Sequence, residues 1–252
     1  MTLRINPTID PSAFAETYAH DGLVQIPGIF DEQTGDAILN IVSSLPWRFI
    51  CQDDTKNNLL LSSAQLKAMS PAERAHLEAG IRRRAAENFG YAYLTYPMIQ
   101  AGLAGMDRDH PIHAVTLFLN SPPFLEFARA VTGCAGILKT DAQASNYRPG
   151  NFLTRHIDDG QRKERRAAYT IGLTRRWEPD WGGLLTFLDH KLDVSRALLP
   201  RFNVLTIFNG LRVHSVSPVS AFAPVERLSI VGWFRDDAPA WFSRMDAQSG
   251  RE

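Results

Sequence analysis

The sequence predicts a mostly β fold with flanking helices, an α+β chain whose second half forms a β-sandwich or jelly-roll barrel behind a helical front. The first observation is length: 252 residues can bury a substantial core, and all-β or mixed domains of this size are often single. The second is a change of texture near residue 137, after which short β-prone runs recur between Gly, Pro and Asp turns. The third is a front half whose amphipathic segments carry their own helix start and stop signals. One domain over residues 1–252 follows, with 1–136 as a mainly helical supporting region, 137–236 as the barrel core and 237–252 as a C-terminal tail.

Composition narrows the partners. Lys plus Arg (27) equal Asp plus Glu (27), so no global field recruits nucleic acid or an acidic membrane surface. The two cysteines, Cys51 and Cys134, lack the close spacing of a zinc site or a disulfide framework, which fits a reducing cytoplasm. The segment Met1 to Pro7 has neither a long apolar core nor a small-residue cleavage site. No later run approaches the roughly 18 consecutive apolar residues of a membrane span. A soluble, unexported, cytoplasmic protein is the expectation; oligomeric state is not legible.

In chain order, Asp10 before Pro11 reads as an N-cap with proline at the first helical position, opening a short helix through Phe14 and Tyr18 that Gly22 ends. A strand over 23–26 and a turn at Pro27 and Gly28 lead to a second helix capped by Asp31, with Ile38, Ile41, Val42 and Leu45 at helical spacing. A strand is expected over 57–61. Ser70, Pro71 and Glu73 then make a capping box for a long helix to about Asn88. Its Arg82, Arg83 and Arg84 run beside Glu78 and Glu87 and read as a solvated helix face. Over 90–96, Tyr91, Tyr93 and Tyr96 alternate in part; lining of a groove and half-buried packing are both open. Residues 102–111 read as a loop, and 121–132 as a helix stopped by Gly133. Strands are expected over 137–147, 152–157, 167–173, 184–188, 203–208, 213–216 and 228–234.

The chemistry concentrates in two of these strands. Side chains alternate across a strand, so His156 and Asp158 project to one side while Ile157 projects to the other. The polar loop 159–165 follows them, so a surface ion pair with a nearby arginine is an equal reading. His214 lies in a β-prone run after Asn209 and Gly210, where a satisfied core histidine is the ordinary alternative. Joined to His156 and Asp158, it completes two imidazoles and one carboxylate, the facial set of non-haem Fe(II) oxygenases. Arg227 opens a strongly apolar strand. A buried guanidinium needs an anion: Glu226, Asp236 or a dicarboxylate ligand.

Taken together, these motifs resemble the Fe(II)- and 2-oxoglutarate-dependent dioxygenases, and most of all their prolyl-hydroxylase-like branch. The residues that carry the resemblance are Tyr147 with Pro149, Gly150 and Asn151; His156 and Asp158; Trp181 to Phe187; His214 with Val216 and Pro218; and Arg227, Ser229, Ile230 and Trp233. They span roughly a third of the chain. The resemblance implies a double-stranded β-helix with the metal at one mouth. His156, Asp158 and His214 would be the iron ligands and catalytic centre, Arg227 would bind the distal carboxylate of 2-oxoglutarate, and Tyr147 would stand near the cosubstrate. Thr206 and Ser229 are further candidates for that contact. Where relatives carry a tyrosine after the first ligand pair, Gly172 stands here, with Tyr169 and Thr170 beside it. Residues 14–30 resemble the helix-strand entry of the branch. His20, His110 and His113 read as surface or structural residues, and Gly182 and Gly183 as a tight turn of the kind any β protein uses.

The implied cofactor and cosubstrates are Fe(II), 2-oxoglutarate and O2, with L-ascorbate as a further candidate. The implied reaction hydroxylates an unactivated C–H, on a prolyl residue of a protein or peptide, while 2-oxoglutarate is decarboxylated to succinate and CO2. The same chemistry on a free amino acid or small metabolite is an alternative. Two readings of other classes stand beside it: a non-catalytic jelly-roll binding module, and a zinc hydrolase, for which no Glu adjoins either histidine as in the His-Glu arrangement.

Overall fold

The computed structural model describes residues 2–238 except 54, 88, 161 and 162. Asn88, part of the 159–165 loop and residues 239–252 of the expected C-terminal tail therefore lie outside the described residues.

Helix α1 (Ser12–Asp21) starts one residue later than its signal suggests. Asp10 accepts from the Ser12 amide and hydroxyl, Pro11 is already helical, and Gly22 closes the helix at φ 60°. Strand β1 (Leu23–Pro27) leads to α2 (Glu32–Ser43), whose cap Asp31 accepts from the Thr34 amide. Strands β2 (Arg48–Gln52) and β3 (Asn58–Ser62) form a hairpin. Ser62 then caps α3 (Ser63–Ala68) in a capping box with Gln65, and Ser70 and Glu73 cap α4 (Pro71–Glu87) reciprocally. On α4, Arg82 pairs with Glu78 one turn back, as a solvated face does, whereas Arg84 is half-buried and donates to the Gln52 carbonyl.

Strand β4 (Tyr91–Tyr96) precedes α5 (Met98–Ala104), α6 (Ile112–Leu119) and α7 (Pro122–Thr132). The loop expected over 102–111 is shorter than its composition suggested, because Gly102 to Ala104 close α5. Both α5 and α6 bury Met98, Ile99, Ala101, Ile112, Val115 and Leu119, and helices this apolar show little polar contrast in sequence.

The remaining strands are β5 (Lys139–Thr140), β6 (Gln143–Tyr147), β7 (Phe152–His156), β8 (Arg165–Gly172), β9 (Leu185–Leu188), β10 (Val194–Leu198), β11 (Val204–Phe208), β12 (His214–Val216) and β13 (Arg227–Arg235). Every strand pairing is antiparallel, in the order β1-β11-β8-β13-β6-β4-β7-β12-β9-β10, with the β2–β3 hairpin on β4 and β5 on β13. Strand β4 turns the sheet: its Leu94 to Tyr96 pair with β6, while Tyr91 and Ala92 pair with β7. One edge serving two neighbours curls the sheet into a half-barrel, the double-stranded β-helix that the motifs imply. Because β1 and β4 lie inside this order, the supporting region supplies strands as well as helices.

Period-two alternation then separates two interiors. Ile26, Tyr96, Ile171, Ile207, Ile230 and Phe234 face one way and pack under α2, α5, α6 and α7. The opposite face of the same strands, with β7, β12 and β9 across from it, encloses a cavity. Cys51 is buried, Cys134 is half-buried, and both are free thiols. No helix among the described residues is long and apolar enough to cross a membrane.

One side chain ties the entry segment to the curled sheet. Asn203 accepts from the Phe30 amide at 3.0 Å and donates to the Phe30 carbonyl at 2.8 Å, both buried. Asn203→Ala should cost about 2–4 kcal/mol by orphaning both groups. Urea unfolding that places the variant with the wild type would refute this tie.

Candidate active site

His156 ends β7 and His214 begins β12, and the two residues face each other in the register of these strands. Their ring centroids lie 4.2 Å apart. Asp158 follows β7 by two residues and is 8% exposed. Its amide donates to the Gly210 carbonyl at 2.7 Å, and a Cβ on Gly210 would sit 2.8 Å from the Asp158 carbonyl oxygen. Only glycine lets the turn before β12 approach the carboxylate's backbone this closely. Gly210 is a site residue that residue chemistry missed; its signal is the Asn209–Gly210 turn itself.

The three side chains converge through defined atoms. Asp158 Oδ2 lies 3.3 Å from His214 Nε2, and Oδ1 lies 3.6 Å from His156 Nε2. One potential ligand atom from each residue falls within 4.8 Å of the others. His156 Nδ1 meets the Thr154 carbonyl at 3.0 Å and His214 Nδ1 meets the Arg212 carbonyl at 2.9 Å. A carbonyl only accepts, so these partners assign the proton to Nδ1 and leave each Nε2 lone pair turned toward Asp158. Burial, reinforced by His214, holds the His156 pKa below its usual value and keeps that ring neutral. Burial raises the Asp158 pKa, but a hydrogen bond from His214 and the charge of His214 and His156, both available only when those rings are protonated, outweigh it, and the carboxyl titrates below its usual range. Two neutral imidazoles and one carboxylate on one side of a point fit Fe(II) with open positions opposite.

The surface ion-pair reading of Asp158 keeps only a remnant, a 3.9 Å approach by Arg165, whose guanidinium lies 3.7 Å over the Trp233 ring. Both side chains line the cavity, a placement not read from the sequence. The signal was available for Trp233, since Arg227, Val231 and Trp233 share one face of β13.

Elsewhere in the same cavity, of about 660 Å³, sits Arg227. It is 3% exposed, opposite Tyr147 in the strand register, with its guanidinium carbon 5.0 Å from the Tyr147 ring centroid. Neither acid suggested by sequence pairs with it: Glu226 takes Arg148 and Asn146, and Asp236 takes Arg166. Nη1 donates to the Ser229 hydroxyl at 3.3 Å, and Nε has no hydrogen-bond partner among the described residues. An unpaired buried cation is costly, so this orphaned donor marks a place for an anion.

Tyr147 is buried and stacks on Tyr93 at 4.7 Å and 10°, and Tyr91 joins them on the cavity wall. Tyr96 does not; it turns to the helix side and donates to Asp107. Ser229 adjoins Arg227, whereas Thr206 lines a small recess behind it and accepts from Gln25. Gly172 has no room for a side chain, since a Cβ would fall 2.1 Å from the Arg201 carbonyl oxygen. Of its neighbours, Tyr169 spends its hydroxyl on the Asp141 carbonyl, while Thr170 lines the cavity. His20 pairs with Asp21 on the surface, and His110 and His113 bond around the start of α6 and join no metal cluster among the described residues.

Residues 142–235 match the family model of the 2OG-Fe(II) oxygenase superfamily. A search of curated proteins finds no match. Among solved structures, a Pseudomonas putida prolyl-4-hydroxylase is 19% identical with a TM-score of 0.52, over 94% of this chain and 100% of that one. A Burkholderia pseudomallei oxidoreductase of the 2OG-Fe(II) oxygenase family is 15% identical with a TM-score of 0.59, over 94% and 96%. A Trichoplax adhaerens prolyl hydroxylase, solved with a hypoxia inducible factor oxygen degradation domain peptide fragment, is 17% identical with a TM-score of 0.56, over 95% and 93%. The stretch that carries the motifs is thus similar to the 2OG-Fe(II) oxygenase superfamily, and the fold is shared with prolyl-hydroxylase-like structures.

The donor set makes a direct prediction for metal binding. Titration of Mn(II) into apoprotein should show one tight site in the wild type and at least about a hundredfold weaker binding in Asp158→Ala, because loss of a ligand removes more than a supporting hydrogen bond would. Retained affinity in that variant would place the metal elsewhere.

Proposed function

We propose that this chain is a Fe(II)- and 2-oxoglutarate-dependent dioxygenase that hydroxylates an unactivated C–H of a prolyl residue in a protein or peptide. One observation carries the reading: a single cavity contains both the set of half-buried His156 with buried Asp158 and His214, and the buried, acid-free guanidinium of Arg227. The pair suits a dicarboxylate that reaches from a metal to the guanidinium, which neither a zinc hydrolase nor a non-catalytic module requires.

In this reading His156, Asp158 and His214 hold Fe(II), and Arg227 takes the distal carboxylate of 2-oxoglutarate with Tyr147 and Ser229 beside it. When bound, the iron with 2-oxoglutarate and O2 supplies the oxidising chemistry, in which the cosubstrate becomes succinate and CO2 and one oxygen atom enters the substrate C–H. The chain supplies position and dryness. The carbonyls of Thr154 and Arg212 hold the two imidazoles in one tautomer, and stacked Tyr93 and Tyr147 exclude water around the guanidinium. No side chain has to act as a general base. The strands of residues 1–136 enter the same sheet, which supports one catalytic unit rather than two.

For the substrate, the reading leans on the fold shared with prolyl hydroxylases and on a neighbour solved with a peptide bound. Ile50 and Asn58 of the β2–β3 hairpin, together with Phe89, line the cavity and offer a wall for a chain laid across it. A second reading, a free amino acid, draws on Arg165: its Nε is buried with no hydrogen-bond partner among the described residues, and a free carboxylate would satisfy it. L-ascorbate and a cytoplasmic setting belong to the same proposal.

The test adds Fe(II) and then 2-oxoglutarate to anaerobic apoprotein and follows the visible iron-to-ketoacid charge-transfer band. Wild type should develop it, and Arg227→Ala should need about tenfold or more cosubstrate, as expected for loss of a charge-assisted bidentate contact. Turnover should vanish in His156→Ala. Absence of the band in the wild type would sink the assignment. Panels of prolyl peptides against free proline, read as coupled 2-oxoglutarate consumption, separate the two substrate readings.

A further inference from the structure

A guanidinium that must meet an anion at a set distance needs its stem held, and Arg227 has little polar holding. Its contacts are one bond from Nη1 to Ser229 and an Nε with no hydrogen-bond partner among the described residues. Packing has to supply the rest. The Tyr147 ring lies on one side. On another is the turn at Gly182 and Gly183 that precedes β9.

Gly183 sits at φ 60°, and a Cβ there would lie 3.2 Å from Arg227 Cδ, 3.1 Å from Trp177 Cζ2 and 3.1 Å from Val219 Cγ2. The turn is gripped on both flanks. The Trp177 indole N–H donates to the Gly182 carbonyl at 2.8 Å, and the Gly183 amide donates to the Pro218 carbonyl at 3.3 Å. A Cβ on Gly182 would fall 2.1 Å from that same Pro218 oxygen. Trp177 and Val219 are buried in one apolar cluster with Tyr147, Tyr93 and Val216. A methyl group at 183 must therefore displace the indole, the valine or the arginine stem. Of these, the stem leads into open cavity, so it is the one with room to yield.

We infer that the Gly182–Gly183 turn, clamped by Trp177, is the positioning element of Arg227: it sets how far the guanidinium reaches into the cavity and so which length of dicarboxylate spans from it to the histidine–aspartate set. The inference rests on the reading of Arg227 as the carboxylate anchor. It gives the paired glycines a role beyond a generic turn, since each is shaped by a different neighbour.

The experiment uses Mn(II)-loaded full-length protein without O2. Calorimetric titration with 2-oxoglutarate and with oxaloacetate, one carbon shorter, compares wild type with Gly183→Ala and Trp177→Phe, the second of which keeps most of the ring and loses the indole N–H. Mn(II) affinity and thermal midpoint are measured alongside. In both variants the Kd for 2-oxoglutarate should rise about tenfold, and the preference between the two ketoacids should change about threefold or more, while Mn(II) affinity stays within about twofold. An unchanged ketoacid preference overturns the inference, as does a fall in Mn(II) affinity parallel to that for both ketoacids, the mark of general loosening. Wild-type protein that binds Mn(II) and neither ketoacid overturns the anchor reading of Arg227 and this inference with it.

Discussion

The antiparallel pairing of β7 with β12 at His156 and His214 is the contact on which the site depends. Two residues 58 positions apart become neighbours because their strands are neighbours, and their rings then share one side of the ladder. That pairing is available only because β4 divides its edge between β6 and β7 and folds the sheet over itself. Without the curl, β13 and β6, which present Arg227 and Tyr147, would not face the histidine strands. Asp158 joins the set through the Gly210 carbonyl, so the carboxylate is placed by backbone rather than by a flexible loop.

Electrostatics explains why the cavity is built for an anion as well as a cation. The triad supplies one negative charge and two neutral donors, a good host for a divalent metal. Arg227 lies buried without an acid, while the acids nearest in sequence are engaged by Arg148 and Arg166. A buried cation left in that condition lowers stability unless a ligand completes it. The protein therefore retains, at this position, a cost that an anionic ligand would offset.

The helical front has its own physical logic. Strand alternation gives the larger sheet two unlike faces, and the apolar face must be covered. Helices α2, α5, α6 and α7 cover it, β1 enters the sheet beside β11, and Asn203 pins the intervening chain through both polar groups of Phe30. Rigidity on that side leaves the opposite face free to carry function.

Local features were readable from neighbouring residues. Caps and stops at Asp31, Ser70, Gly22 and Gly133 set helix boundaries, because such bonds form within a few residues of one another. His156, Asp158, His214 and Arg227 were legible as candidates from strand parity and from the order of their motifs. The hairpin strand β2 and the exposed edge strand β10 were not: the apolar run of β2 is only Phe49 to Cys51, without alternation, and β10 is mostly exposed with little β signal of its own. Nor were α5 and α6, which are short and apolar along most of their length. Readings that strand parity leaves equal were settled by long-range packing. It chose burial over a surface ion pair for Asp158, left Arg227 without Glu226 or Asp236, sent Tyr93 to the cavity and Tyr96 to the helices, and set Trp233 beneath Arg165. Those outcomes depend on which distant strand lies opposite and on how closely the backbones approach, and neither is encoded within a window of neighbouring residues.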